Sequence, residues 1–208
     1  MGWWTDRVVP RLTDASLSQP PVMERRAEAC HDLRGRVLEI GFGSGLNLGC
    51  YPVGVEAVDA VEPSDLGWAR SAGRRAAATV PVTRTGLDGE RLEAVDASYD
   101  AVLSTFTLCT IPDVDRALAE VRRVLRPGGV LAFLEHGRAP DARVLTWQRR
   151  LEPVQRAVFG GCHLTRDVPR LVRAAGLEII EVDHGYLDGP AVMRPWTFGT
   201  RGRAVRVS

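Results

Sequence analysis

The sequence predicts an α/β fold, a single doubly wound, mostly parallel sheet of seven strands, and three observations predict it. Short apolar runs alternate with helix-patterned segments from residue 36 onward. The first run, Val37-Leu38-Glu39-Ile40, passes directly into Gly41-Phe42-Gly43-Ser44-Gly45. Alternate glycines there let the backbone take positive φ and let a ligand touch the main chain. The second run, Val55–Val61, leads into Glu62-Pro63, with Glu62 twenty-one residues beyond Gly41. A carboxylate ~20 residues past a glycine turn is where nucleoside-binding α/β folds hold ribose hydroxyls.

The elements follow in order. Gly45 is expected to open a short helix that Pro52 ends. Ser64 can cap a helix over residues 65–77, rich in alanine and arginine. A third strand fits residues 80–85 and a fourth Tyr99–Thr105. Asp113 can cap the next helix, where Val114, Ala117, Leu118, Val121 and Leu125 fall at helical spacing. Pro127-Gly128-Gly129 is expected to stop it and turn the chain into a fifth strand at 130–134. Residues 137–163 break the pattern as a partly helical excursion holding Trp147, Gln148 and Phe159. Thr165 is expected to cap a helix ended by Gly176, with strands six and seven at 177–182 and 203–207. Residues 1–34 carry no strand. There Trp3, Trp4, Val8, Val9 and Leu12 can form an apolar helical face, interrupted by Pro10. This segment reads either as a lid or apron over the ligand cleft or as a helix packed on the sheet edge. The whole chain, 1–208, is expected to be one domain with its core at 35–208.

The chain has 208 residues, 45% hydrophobic and 25% charged, which places it among soluble globular proteins. A net charge of +1 gives no long-range field to draw in a polyanion, so nucleic acid is not expected as a partner. No apolar run approaches the ~18 residues that a membrane span needs, and the start lacks the charged and apolar regions of a signal peptide. The cysteines Cys30, Cys50, Cys109 and Cys162 form no C-x-x-C or other local zinc-binding spacing, so no metal is expected. Free, mostly buried thiols in a reducing cytoplasm are expected instead.

Dinucleotide dehydrogenases share the first strand, the glycines and the later acid, but their turn is G-x-G-x-x-G. Here the third glycine, Gly45, comes one place early and Leu46 follows it. This spacing resembles the class I S-adenosylmethionine-dependent methyltransferases, with their Rossmann-like fold. The resemblance implies S-adenosylmethionine as cofactor, with Gly41, Gly43, Gly45 and Asn47 around the methionine part and ribose. It also implies that Glu39 orients the methionine amino group and that Glu62 and Pro63 lie at the ribose. Leu87-Asp88-Gly89-Glu90 resembles the quinone-biosynthesis methyltransferases, in which the Asp matching Asp88 accepts from the adenine amine and the Gly89 N–H donates to the ring. Ser104, after strand four, completes the expected cofactor set.

Leu108-Cys109, Glu135-His136, Trp147-Gln148, Glu152-Pro153 and Gly161-Cys162-His163-Leu164-Thr165-Arg166 resemble the methyltransferase-like group of alkyl-thiol methyltransferases. That resemblance covers about residues 37–186 and implies a small-molecule acceptor, a thiol. The animal members begin with a hydrophobic anchoring segment and have a second cysteine where this chain has His163. These departures keep acceptor identity and membrane location from being carried over.

His136 and His163 are the candidates for a base that would favour a thiolate, and Glu135 either orients His136 or is solvated. Thr105 and Phe106 are expected walls of the acceptor site, while Cys109 and Cys162 read as buried fillers. Trp147, Phe159 and Trp196 either line an apolar pocket or pack the core. No Asn/Asp-Pro-Pro-aromatic motif follows strand four, which argues against base methylation. The alternatives are a C- or O-methyltransferase of a quinone precursor, a non-catalytic S-adenosylmethionine-binding module, and a nicotinamide dehydrogenase.

Overall fold

A computed structural model describes residues 9–208; Trp3, Trp4 and Val8 of the expected apolar face lie outside the described residues. Two helices, α1 (Val9–Leu17) and α2 (Pro20–Cys30), precede the sheet. Its strands are β1 (Gly35–Ile40), β2 (Val55–Val61), β3 (Val82–Gly86), β4 (Tyr99–Thr105), β5 (Leu125–His136), β6 (Glu178–Tyr186) and β7 (Phe198–Val205). They form one sheet in the order β3-β2-β1-β4-β5-β7-β6. The first five are parallel, and β7 runs antiparallel between β5 and β6. The chain winds outward from β1 to β3 and then crosses to β4, so the winding direction reverses between β1 and β4. In open α/β sheets ligands bind at the carboxyl ends of the strands at that reversal.

The central strands are buried on both faces, which is why they read as continuous apolar runs. On one face Leu38, Ile40, Val102 and Phe133 pack against Leu118 and Val121 of α5 (Val114–Val124) and Val168 and Val172 of α7 (Val168–Ala174). On the other, Val37, Ala60, Leu103 and Ala132 pack with Cys30 and Leu33 at the end of α2.

Several helix boundaries depart from the sequence expectation. After Gly45 there is one 3-10 turn, Leu46–Gly49. The 65–77 segment is two helices, α3 (Asp65–Arg70) and α4 (Ala72–Ala77). Ser64 Oγ accepts from the Gly67 N–H as expected, but Ser71 Oγ donates to the Trp68 carbonyl at 2.6 Å and interrupts the run. The 137–163 excursion is mostly one seventeen-residue helix, α6 (Ala142–Val158), with Pro153 inside it. Thr165 does not cap α7. Asp167 does, accepting from the Arg170 N–H, while Thr165 is bound to Glu152. A last short helix, α8 (Arg194–Thr197), leads into β7.

Candidate active site

A cavity of about 550 Å³ opens at the carboxyl ends of β1, β2 and β4. The loop after β1 forms one wall. Gly41 has φ +76°, and a Cβ there would stand 2.0 Å from Thr107 Oγ1, so the turn after β4 closes over a position only glycine can fill. Gly43 has φ +57°, with nothing nearer than 4.0 Å to the place of a Cβ, and its backbone lines the cavity. Glu62 laces this loop to the tip of β2. Its Oε2 accepts from the Gly43 N–H at 2.6 Å and its Oε1 from the Ser64 N–H at 2.7 Å. Burial pushes the Glu62 carboxyl up. Each oxygen has a second lone pair for a hydroxyl donor. Pro63 and Gly89 also line the cavity. A Cβ on Gly89 would meet Ile40 Cγ2 at 2.9 Å and Ile111 Cδ1 at 3.1 Å. The glycine turns, the carboxylate and this narrow floor fit a nucleoside cofactor whose ribose donates to Glu62.

The other expected cofactor residues lie outside the wall. Asp88 accepts from the Glu90 N–H within its own turn, at 2.8 Å. Gly45 turns toward Phe42 and Leu48. Glu39 is buried, accepting from Asn47 Nδ2 at 2.8 Å and the Tyr51 hydroxyl at 2.5 Å. Burial pushes its carboxyl up to about 7. Asn47 also donates to Thr105 Oγ1 and accepts from Arg26 Nη1. Ser104 is buried and donates to Glu135 at 2.7 Å.

Sequence reasoning missed Arg26. It comes from α2, is 4% exposed, and lines the cavity. Its Nη1 donates to Asn47 Oδ1 at 2.9 Å and Thr105 Oγ1 at 2.7 Å, and its guanidinium stands 5.2 Å from the Phe106 ring centroid. Nothing in Glu24-Arg25-Arg26-Ala27 marks one arginine as buried; only its partners do. Thr105 and Phe106 are cavity walls, as expected. Phe106 has φ +55°, a strained conformation for a bulky residue, with its N–H bound to the Leu134 carbonyl at 2.7 Å.

Glu135 neither orients His136 nor meets solvent. It is fully buried, and beyond Ser104 it accepts from the N–H groups of Thr107, Leu108 and Cys109. It thereby fixes the turn that walls the cavity. His136 points Nδ1 at Cys162 Sγ, 3.4 Å away, and at Cys109 Sγ, 3.9 Å away. Its ring lies 5.0 Å from that of Phe106, and both line a second, small cavity with Trp196. His163 lines neither cavity. Its Nδ1 is 3.1 Å from Glu152 Oε1, while Glu152 Oε2 accepts from the Thr165 N–H and hydroxyl. Of the expected aromatics, Phe159 lines the main cavity, whereas Trp147 is half exposed beside Arg150. Gln148 is buried, accepting from the Ala139 N–H and donating to the carbonyls of Gly137 and Pro195.

Residues 38–133 match the family model of the methyltransferase domain. The chain is 33% identical over 163 residues to the rat thiol S-methyltransferase TMT1B, covering 73% of this chain and 66% of that protein. It is 30% identical over 169 residues to the human thiol S-methyltransferase TMT1A, covering 78% and 68%. A solved S-adenosylmethionine-dependent methyltransferase from Mesorhizobium loti shares the fold, with TM-score 0.68 at 18% identity over 91% of this chain and all of that one. The chain belongs to the class I S-adenosylmethionine-dependent methyltransferases. It spans about two thirds of the length of the thiol S-methyltransferases that it matches.

Proposed function

We propose that this chain moves the methyl group of S-adenosylmethionine to a small apolar acceptor, and that the acceptor is a thiol. The observation that carries the reading is one cavity with two chemistries. The Gly43 backbone and Glu62 line it at one end, and Phe106, Ile111 and Phe159 line it elsewhere. The likeness to thiol S-methyltransferases supports the choice of acceptor.

S-adenosylmethionine supplies an electrophilic methyl on a sulfonium, and in-line displacement from it needs no metal. Glu62 would hold the ribose hydroxyls and the Gly89 N–H would meet the adenine ring, with Asp88 holding the turn that presents it. Glu39, Asn47 and Tyr51, by contrast, lie behind the wall and brace the turn that follows the glycine loop. Phe106 and Phe159 exclude water and hold the acceptor in line. A thiol of pKa ~8.5 is only partly ionised at neutral pH. The Arg26 guanidinium in the cavity wall favours the thiolate. Neither histidine is assigned the proton, because His163 is bound to Glu152 and His136 faces the two sulfurs. Helix α1 acts as the lid: Thr13, Asp14 and Leu17 line the cavity, and Asp14 is bound to Ser44 of the glycine loop and to Arg70. The 208 residues act as one catalytic domain. No helix among the described residues is long and apolar enough to cross a membrane, and we place the reaction in the cytoplasm.

The test is transfer of labelled methyl from S-adenosylmethionine to an alkyl thiol, an aromatic thiol, a quinol and an amine. Label on the thiols, lost in Arg26→Met at unchanged cofactor affinity, is expected. Label on the quinol alone would overturn the thiol assignment in favour of C- or O-methylation. Tight cofactor binding with no product from any acceptor would favour a binding module.

A further inference from the structure

We propose that Cys109, His136 and Cys162 form a three-ligand site for a thiophilic metal ion, with Zn²⁺ as the fitting occupant. The residues are far apart in sequence and come from three places: the turn after β4, the last residue of β5, and the segment after α6. Their donor atoms converge. Cys109 Sγ and Cys162 Sγ are 3.6 Å apart, and His136 Nδ1 is 3.4 Å from one sulfur and 3.9 Å from the other. A tetrahedral zinc ion with Zn–S near 2.3 Å and Zn–N near 2.0–2.1 Å requires edges of about 3.8 Å between sulfurs and about 3.5 Å from sulfur to nitrogen. The three distances come within about 0.4 Å of a face of that tetrahedron, a gap that small side-chain rotations close. Two thiols and an imidazole are a soft donor set, suited to Zn²⁺ and poorly suited to Mg²⁺ or Ca²⁺.

The supporting shell is built as metal sites require. Glu135 Oε2 accepts from the Cys109 N–H at 3.0 Å, and the Cys109 carbonyl accepts from the His163 N–H at 2.8 Å. Arg166 clamps the same turn by donating to the Leu108 and Ile111 carbonyls. Simple packing would not need three soft donors aimed at one point. Among the described residues no fourth Asp, Glu, His or Cys joins the cluster, so one coordination position is left to a water or an exogenous ligand, as in zinc sites of the open type. This inference stands apart from the cofactor assignment, since none of the three side chains lines the main cavity.

The experiment titrates the reduced full-length protein with Co²⁺ in the absence of oxygen, as a spectroscopic probe for Zn²⁺. One equivalent should produce a thiolate-to-cobalt charge-transfer band and the strong visible absorption of tetrahedral Co²⁺, and Zn²⁺ should abolish both. Cys162→Ser and His136→Ala should each weaken binding by about a hundredfold or more, while Cys50→Ser leaves it unchanged. Calorimetric affinity for S-adenosylmethionine shows which variants remain folded. Absence of the charge-transfer band in folded wild-type protein would overturn the site. So would a band that persists at full strength in folded Cys162→Ser. Either result would leave the methyl-transfer reading untouched, because that reading is measured by label transfer.

Discussion

Glu39 and Glu62 are both buried acids beside the glycine loop, and their partners give them different work. Glu62 faces the cavity and holds two loop N–H groups, so removing it leaves both unmet and, on the proposed ribose role, a hydroxyl pair as well. Glu62→Ala should weaken S-adenosylmethionine binding by roughly 1–3 kcal/mol with the far-ultraviolet circular dichroism intact. Unchanged calorimetric affinity would refute the ribose role. Glu39 is a stability question. The folded protein keeps its proton up to about pH 7, and the unfolded chain releases it near the usual 4.5. Between those values the folded state binds more protons, so stability falls as pH rises through the window, by on the order of 3 kcal/mol for this group alone. Glu39→Gln should flatten the melting temperature between pH 5 and 7 relative to wild type; parallel curves would refute the assignment. Glu62 was legible because its distance from Gly41 is a backbone property of the βαβ unit. Arg26 was not, because a buried cation is defined by Asn47, Thr105 and Phe106, which lie 21 to 80 positions away.

Among the elements, α5 shows where local signals mislead. Pro127-Gly128-Gly129 looks like a helix stop, yet α5 already ends at Val124, and those residues instead form a bulge in β5, where Gly128 takes φ +79° and the pairing with β4 jumps from Leu125 to Val130. The last carbonyls of a helix need donors, and here they come from the far end of the chain. Arg206 Nη1 donates to the carbonyls of Arg122, Arg123 and Leu125 at 3.0, 3.0 and 2.6 Å. Its cationic head also complements the negative end of the helix. Arg206 Nε has no hydrogen-bond partner, which offsets part of the gain. Arg206→Ala should therefore cost about 1–2 kcal/mol in chemical denaturation, and Arg206→Lys should restore only part, lacking the planar fork. A loss below experimental error would show that the C-terminal contact is idle. At the cleft, α1 is held by exposed and half-buried ion pairs, which are worth ~1 kcal/mol or less. Asp14→Ala should then speed amide exchange in α1 and the 41–45 loop while the global melting temperature stays within error. Equal exchange would remove α1 as a lid.

The whole molecule depends on inserting an antiparallel strand, β7, between β5 and β6 in an otherwise parallel sheet. The runs of β2 and β4 were legible to the residue because burial on both faces gives each an apolar centre, Val58 and Ala60-Val61 in one and Ala101-Val102-Leu103 in the other. In β7 the buried positions are Phe198, Thr200, Gly202 and Ala204, which show no hydrophobic alternation. The reason lies across the sheet. Gly202 pairs with Phe133 of β5, and a Cβ at Gly202 would sit 2.4 Å from Phe133 Cζ and 2.9 Å from the Glu181 carbonyl oxygen. Phe133 is fully buried in the core under α5 and α7, so its ring cannot swing into solvent. The small residue on β7 and the large one on β5 are thus one packing unit, and neither is informative alone. Gly202→Ala should destabilise by about 1–3 kcal/mol through overpacking. Phe133→Leu alone should also destabilise, by opening a void. Combined with Gly202→Ala, however, it should recover part of the loss, because the shorter side chain makes room for the new methyl. A double-mutant cycle by urea denaturation should give a favourable coupling of at least ~0.5 kcal/mol. Strict additivity would mean that the two positions do not share the space on which the junction of β5 and β7 is built.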